Sequence, residues 1–218
     1  MVTGRNAGLG FELLKMLYCK GAKVYMASRT QSKAEAVIRA IVSTSTSTPG
    51  QVAARSAPNN SVRVISTSSV CVDTSAPKGG VKSASLVTPT ADQAHDYAVS
   101  KAGKWLLAFE LAKRYGRDSI VSVAQNPGQL RRAIWDGAPK VARKVVSLVL
   151  HSALYGAYTA LRCGISPDVT VVDGGRWGRW HPVPRKNILD SLESEKEGGT
   201  GEAEKFWDWC EEKTSEYA

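Results

Sequence analysis

The sequence predicts an α/β fold built on a parallel sheet. A glycine-rich turn at residues 3–10 runs directly into an apolar helical pattern, and a short strand pattern follows at residues 23–28. Apolar runs of strand length then alternate with helical patterns along the rest of the chain. This alternation is typical of parallel sheets whose faces are covered by helices. A length of 218 residues suits one domain with a tail.

The expected elements follow the apolar periodicity of the chain. Helical spacing of apolar residues predicts helices at residues 11–21, 33–41, 92–115, 140–162 and 202–217. Short apolar runs bounded by turn residues predict strands at residues 23–28, 62–66, 119–124 and 169–172. Residues 43–50 are rich in serine and threonine, which predicts a loop.

Composition and charge limit the classes of function. Hydrophobic residues make up 43% of the chain, which is enough for a packed core. The formal net charge is +9, whereas residues 193–218 carry nine acidic and three basic side chains. A basic body with an acidic tail favours a phosphate-bearing ligand, a nucleic acid or an anionic surface. The apolar run at residues 145–161 is too short for a membrane span, so it predicts a buried helix, with a membrane-resting helix as the alternative.

The cysteines and histidines argue against a disulfide framework and a metal site. No secretory signal is recognised, and the four cysteines form no closely spaced pair, so we expect free thiols in the cytoplasm. They are Cys19, Cys71, Cys163 and Cys210. The three histidines lack the spacing of metal ligands, so no metal is expected.

The turn at residues 3–10 has the features of a phosphate-binding loop. Gly4, Gly8 and Gly10 allow the backbone to turn tightly and to approach a pyrophosphate closely. The helix that follows directs its free N–H groups and the positive end of its dipole toward such phosphates. Only two residues precede the turn, so the first strand is almost wholly absent.

Two arginines predict which dinucleotide such a loop binds. Arg29 follows the second predicted strand, where an acidic residue selects NAD(H) and an arginine accommodates the 2′-phosphate of NADP(H). Arg5 adds a positive charge inside the turn. Both residues favour NADP(H), and the alternative is that they are solvated surface side chains.

A serine, a tyrosine and a lysine form a candidate catalytic group. Tyr97 and Lys101 are four residues apart, so they lie on one face of the predicted helix. A lysine ammonium beside a phenol favours the phenolate, which suits the tyrosine to act as an acid and a base near neutral pH. Ser69 follows a predicted strand and could hold a carbonyl oxygen beside that tyrosine, and Ser68 is the neighbouring candidate.

Together these motifs resemble the short-chain dehydrogenase/reductase family, most closely its fungal retinol-dehydrogenase-like branch. The matching segments are TGRNAGLG (3–10), VYMASRT (24–30), RVISTSSV (63–70), DYAVSKAG (96–103), SVAQNPG (122–128), GRWGRW (175–180) and GTGEAEKFWDWCEEKT (199–214). The resemblance implies a Rossmann-like, doubly wound parallel sheet. It also implies that residues 1–192 form the NAD(P)-binding domain and that residues 193–218 form an acidic tail with a docking helix.

The resemblance also assigns roles to individual residues. It implies that Tyr97 is the catalytic acid and base, that Lys101 assists it and binds the nicotinamide ribose, and that Ser69 orients the substrate carbonyl. The implied cofactor contacts are Thr3, Gly4, Arg5, Gly8, Leu9, Gly10, Arg29, Tyr97, Lys101, Pro127 and Gly128.

The chain departs from the family pattern after its second predicted strand. The family has two further strands there, and each strand–helix unit needs about 30 residues. Only the 32 residues from Thr30 to Ser61 separate Arg29 from Val62, and a loop at 43–60 stands in place of the missing units. The asparagine that completes the family's catalytic tetrad has no counterpart. We therefore expect an incomplete sheet, in a chain that is truncated, mis-spliced or has lost catalysis.

The sequence as a whole predicts an NADP(H)-dependent oxidoreductase that interconverts a carbonyl and an alcohol on a small organic substrate. By analogy with the fungal branch, the substrate belongs to secondary metabolism and the protein forms a homo-oligomer. The alternative is a member with impaired catalysis that acts as a binding protein through residues 140–162 and the tail. Nucleic-acid binding, suggested by the basic body and by RWGRW at 176–180, is not expected because no recognition module is present.

Overall fold

The structure is a computed structural model that describes residues 2–3, 8–22, 24, 26–27, 31–44, 62–82, 86, 90–130, 150–173, 177–178 and 186–217. Its helices are α1 (Leu9–Cys19), α2 (Gln31–Thr44), α3 (Cys71–Thr74), α4 (Gln93–Tyr115), α5 (Ala153–Ile165), α6 (Lys186–Leu189) and α7 (Glu202–Thr214). Its strands are β1 (Val2–Thr3), β2 (Met26–Ala27), β3 (Val62–Thr67), β4 (Ile120–Gln125) and β5 (Trp177–Gly178). The chain divides into two compact units, residues 1–57 with 129–161 and residues 58–128 with 162–218.

The first unit contains a short parallel strand pair and the helices α1 and α2. β1 pairs with β2 over two residues, Val2 opposite Met26 and Thr3 opposite Ala27. Apolar side chains that recur at helical spacing pack α1 against α2, and the buried members of this cluster are Leu14, Val37 and Ile41. Both helices lie where the apolar periodicity predicts them, but the loop predicted from residue 43 is wrong at residues 43 and 44, which form the last two residues of α2.

The sheet of the second unit is parallel, in the order β3–β4–β5. β3 and β4 pair over their whole length, from Val62 opposite Ile120 to Thr67 opposite Gln125. The two strands therefore stop at the same level. The residues that follow them, 68–70 and 126–128, leave the sheet from one edge.

Apolar side chains pack on both faces of β4, which explains why its side chains are almost all buried. On one face, Ala124 belongs to a core cluster that includes Trp105 and Leu106 of α4. On the other face, Val121 and Val123 pack with Cys163 from the end of α5. Burial raises the pKa of the Cys163 thiol, as expected in an apolar layer.

The C-terminal helix α7 packs on α4. The Phe206 ring joins the core cluster of the second unit. At the other end of the contact, the Arg114 guanidinium lies 5.0 Å from the centre of the Trp207 ring. Its Nη2 is 3.3 Å from an Asp208 carboxylate oxygen. In the predicted helix at residues 202–217, α7 ends at Thr214 and a 3-10 turn follows at Ser215–Tyr217.

The incomplete sheet that the sequence predicts is confirmed. Among the described strands, β1 and β2 form one hydrogen-bonded sheet and β3, β4 and β5 form another. In the smaller of the two sheets, β1 and β2 have two residues each. None of the helices in the described ranges is long and apolar enough to cross a membrane.

The predicted strand at residues 169–172 is wrong. Residues 171–173 form a 3-10 turn, and the strand beside β4 lies further on, at Trp177–Gly178. The Asp173 carboxylate accepts hydrogen bonds from the backbone N–H and the hydroxyl of Thr170, at 3.0 and 3.3 Å. These local bonds close the turn and compete with strand pairing, which the apolar pattern alone does not register.

The predicted helix at residues 140–162 is wrong at residues 150–152, and residues 140–149 lie outside the described ranges. His151 instead forms a parallel bridge with Leu130, and its N–H donates to the Gln129 carbonyl at 2.8 Å. α5 begins only after Ser152, whose hydroxyl accepts from the N–H of Leu154 at 3.1 Å. This capping bond fixes the start of the helix.

The packing of α7 on α4 predicts the effect of adding one methyl group at Gly103. A Cβ there would lie 2.8 Å from Cε1 of the Phe206 ring, so Gly103→Ala should lower the free energy of unfolding by about 1–3 kcal/mol. Gly116→Ala is the matched control, because nothing in the described chain lies within 4 Å of its Cβ position. Urea unfolding of both variants measures the difference. Equal midpoints would contradict the contact.

Candidate active site

The carboxyl ends of β3 and β4 place the two predicted serines at the start of α3. The N–H of Ser68 donates to the Gln125 carbonyl at 2.8 Å, which extends the strand pairing by one residue. The chain then turns, and the Ser69 carbonyl accepts from the N–H of Val72 at 3.1 Å. Ser68 is 0% exposed and Ser69 7%, so both hydroxyls are shielded from bulk water.

The hydroxyls of the two serines have different partners. Ser68 Oγ donates to the backbone carbonyl of Lys101 at 2.7 Å, so it ties the end of β3 to α4. Ser69 Oγ accepts a long bond of 3.4 Å from the N–H of Cys71. Among the described residues, Ser69 makes no hydrogen bond as a donor through this hydroxyl. Of the two candidates, Ser69 therefore has the hydroxyl better suited to donate to a substrate oxygen.

Tyr97 and Lys101 lie one turn apart on α4. The helix begins at Asp92, whose carboxylate accepts from the N–H groups of the first turn at 2.9 and 3.1 Å. The Lys101 ammonium lies 5.3 Å from the centre of the Tyr97 ring. It also donates to the carbonyl of Thr67 at 3.2 Å. Both side chains are half-buried, which strengthens the interaction of a cation with an aromatic ring.

Residues 125–128 close the site at the end of β4. Asn126 Oδ1 accepts from the N–H of Gly128 at 3.1 Å, and Gly128 has a φ of +79°, which favours glycine. Asn126 Nδ2 and Gln125 Oε1 are buried without a hydrogen-bond partner among the described residues. A buried polar atom without a partner costs about 1–3 kcal/mol. One donor and one acceptor at this edge therefore have no partner among the described residues.

The predicted phosphate-binding residues belong to the first unit. Thr3 lies in β1, and Leu9 and Gly10 are the first residues of α1. Gly8 precedes them with a φ of +71°, and no other described atom lies within 4 Å of its Cβ position. A bare backbone before a helix N-terminus suits the close approach of an anion. Gly4, Arg5 and Arg29 lie outside the described residues.

Sequence reasoning missed two residues at the edge of the sheet. The hydroxyl of Thr67 accepts from Gln125 Nε2 at 3.0 Å, and the carbonyl of Thr67 accepts from Lys101. The sequence signal that could have found Thr67 and Gln125 is that each is a polar residue at the end of an apolar strand. Their pairing was not visible in the sequence because it depends on the register of β3 with β4.

The described side chains include the kinds of group that carbonyl chemistry needs. Ser69 offers a hydroxyl donor and Tyr97 a phenol, while the Lys101 ammonium is the cation placed next to that phenol. An oxygen held by the serine and the tyrosine could gain or lose a proton through the phenol. This chemistry suits the interconversion of a carbonyl and an alcohol.

Comparison with known proteins identifies the family. The short-chain dehydrogenase/reductase iacJ of Pestalotiopsis fici is 32% identical to this chain, in an alignment that covers 97% of this chain and 88% of that protein. The short-chain dehydrogenase/reductase bet4 of Neocamarosporium betae is 30% identical, with 100% and 86% covered. The chain belongs to the short-chain dehydrogenase/reductase family. Members of this family are oxidoreductases that use nicotinamide cofactors and bind small-molecule substrates.

The fold agrees with this assignment, although no protein-family model matches the chain. A crystal structure of an uncharacterised protein from Mycobacterium paratuberculosis superposes with a TM-score of 0.62 at 19% identity, covering 98% of this chain and 91% of that one. At this identity the likeness concerns the fold alone.

The alignments also bear on the expected loss of strands. The alignment with iacJ runs over 290 positions, whereas the chain described here has 218 residues. At least 72 alignment positions (290 minus 218) therefore contain no residue of this chain. About 60 residues would hold two strand–helix units of the family. The size of the difference agrees with the missing strands.

The different partners of the two serines predict different effects on stability. Ser68→Ala removes a 2.7 Å bond and leaves a carbonyl of α4 without it, so the free energy of unfolding should fall by about 1–3 kcal/mol. Ser69→Ala removes only a 3.4 Å contact and should cost less. Urea unfolding of the two matched variants measures both. A larger loss for Ser69→Ala would overturn this interpretation of the site.

Proposed function

We propose that the protein is an NADP(H)-dependent oxidoreductase that interconverts a carbonyl and an alcohol on a small organic substrate. The observation that carries this proposal is the position of the Lys101 ammonium, 5.3 Å from the centre of the Tyr97 ring. The same lysine is bonded to the end of the strand that leads to Ser69. A cation beside a phenol suits acid–base chemistry on a carbonyl oxygen.

Each of the three residues has one part in the proposed reaction. The nicotinamide ring, when bound, supplies a hydride to the carbonyl carbon or accepts one from the alcohol carbon. The Ser69 hydroxyl donates a hydrogen bond that orients the substrate oxygen. In reduction the Tyr97 phenol gives its proton to that oxygen as the C–O double bond becomes single, and in oxidation the phenolate takes the proton back. The Lys101 ammonium stabilises the phenolate and contacts the nicotinamide ribose.

The choice of NADP(H) over NAD(H) rests on charge. Arg29 follows the second strand in place of an acidic residue, and Arg5 lies inside the glycine-rich turn. An arginine at the first of these positions accommodates a 2′-phosphate. The uncovered Gly8 backbone and the N-terminus of α1 suit the pyrophosphate. We assign Pro127 and Gly128 to the nicotinamide end, beside the buried Asn126 amide.

The substrate class, location and assembly are further parts of the proposal. The relatives come from fungi, which supports a small carbonyl compound of fungal secondary metabolism as the substrate. All four cysteines are free, in keeping with a reducing cytoplasm. Tyr155 and Tyr158 on α5 are 62% and 50% exposed, and large exposed aromatic side chains support a contact surface in a homo-oligomer.

The alternative is a family member that has lost catalysis and acts by binding a partner. The observation that favours it is the division of the described strands into two sheets, one of which has two-residue strands. A protein with net stability of about 5–15 kcal/mol has little margin for the loss of central strands. Turnover by the purified chain separates the two functions.

The proposed mechanism predicts a strong effect of removing one hydroxyl. With NADPH and 4-nitrobenzaldehyde as the carbonyl probe, Tyr97→Phe should lower the rate of NADPH oxidation by about 10²- to 10⁴-fold, because the proton donor is lost. Absorbance at 340 nm follows the reaction. Tyr155→Phe is the control, since Tyr155 is 62% exposed on another helix and should keep the wild-type rate. Equal rates for Tyr97→Phe and wild type would refute the role of the phenol.

A further inference from the structure

Gln125 is a fully buried polar side chain to which neither the sequence motifs nor the proposed reaction gives a part. It is the last residue of β4 and is 0% exposed. Burial of an amide is costly unless its polar atoms are bonded, so a glutamine here needs a reason beyond filling space. Its Oε1 has no partner among the described residues, and the hydrogen bond of its Nε2 supplies the reason.

Gln125 holds the end of β3 from two directions. Its backbone carbonyl accepts from the N–H of Ser68 at 2.8 Å, and its Nε2 donates to the hydroxyl of Thr67 at 3.0 Å. The two atoms thus bond to consecutive residues of the neighbouring strand. Because the backbone bond would survive a change of side chain, the amide adds a restraint that acts on Thr67 alone.

The segment Thr67–Ser68 in turn holds Lys101 at both ends. The carbonyl of Thr67 accepts from the Lys101 ammonium at 3.2 Å. The hydroxyl of Ser68 donates to the Lys101 backbone carbonyl at 2.7 Å. Gln125, Thr67, Ser68 and Lys101 therefore form one connected network, and Ser69 is the next residue along the chain.

We propose that Gln125 is a positioning residue, which fixes the Thr67 carbonyl and thereby the place of the Lys101 ammonium beside Tyr97. The catalytic value of this position rests on the proposed function, whereas the restraint on Lys101 does not. Stability alone does not require this hydrogen bond. Replacing both partners of a buried hydrogen bond by apolar groups is nearly neutral for stability, so an apolar pair at residues 67 and 125 would keep the protein as stable.

Competitive acetylation of lysines tests the restraint directly. The full chain is treated with limiting acetic anhydride, and mass spectrometry gives the labelling of Lys101 relative to Lys104, an exposed lysine on the same helix. Gln125→Met and Thr67→Val each remove the amide–hydroxyl bond and should raise this ratio about fivefold, the weight of one hydrogen bond. The double variant should match the single ones, because all three lack the same bond.

Two further variants separate positioning from general loosening. Thr67→Ser keeps the hydroxyl and should return the ratio close to that of wild type. Ser122→Ala removes another buried side-chain bond on β4, the 2.9 Å contact of its hydroxyl with the Ala108 carbonyl, and should leave the ratio unchanged. Circular dichroism checks that each variant is folded. If Gln125→Met does not fold, the comparison of Thr67→Val with Thr67→Ser decides.

An unchanged labelling ratio of Lys101 to Lys104 in folded Gln125→Met would overturn the proposal. If Gln125→Met does not fold, an unchanged ratio in folded Thr67→Val would do the same. An equal rise of the ratio in Ser122→Ala would also overturn it. Turnover of NADPH with 4-nitrobenzaldehyde adds a second readout. If the chain is active, Gln125→Met should lower kcat about tenfold and leave the KM of the probe within about twofold, because orientation and not binding is lost. A wild-type chain without turnover would contradict the proposed function, while the labelling ratio would still decide the restraint on Lys101.

Discussion

The in-register pairing of β3 with β4 fixes the described part of the candidate active site. Because Thr67 and Gln125 face each other at the last position of both strands, the residues after them leave the sheet at one level. Ser68 and Ser69 follow one strand, and Asn126 to Gly128 follow the other. α4 packs over this sheet and brings Lys101 within hydrogen-bond distance of Thr67. A slip of one residue would send each side chain of β3 to the opposite face and separate these groups.

A short sheet covers little apolar surface, so other elements must complete the core. The C-terminal segment provides some of these apolar side chains. Ile188, Leu192 and Ala203 are almost fully buried in the same core cluster as Trp105 and Leu106 of α4. The helix that carries Tyr97 and Lys101 therefore has the sheet on one side and the tail on another. In this short-chain dehydrogenase/reductase, the acidic tail contributes to the core that supports the helix of Tyr97 and Lys101.

Much of this structure could be predicted from local sequence patterns. The helices α1, α2, α4 and α7 and the strands β3 and β4 follow apolar periodicity, which reports local burial. The errors arose where a side chain bonds to nearby backbone, as Asp173 does to Thr170, or where distant residues pair, as His151 does with Leu130. Spacing along one helix was enough to find Tyr97 and Lys101. Gln125 was missed because its role depends on a residue 58 positions away in sequence.

We expect this chain to fold around a nicotinamide-cofactor site although strands of the family's sheet are missing. Thermal unfolding of the purified 218-residue protein with excess NADPH, and with NADH as the comparator, tests it most directly. A cofactor at 100 times its dissociation constant should add about 2.7 kcal/mol to the free energy of unfolding. We expect one cooperative transition that NADPH raises and NADH does not. A transition that neither cofactor moves, or no cooperative transition, would contradict the account.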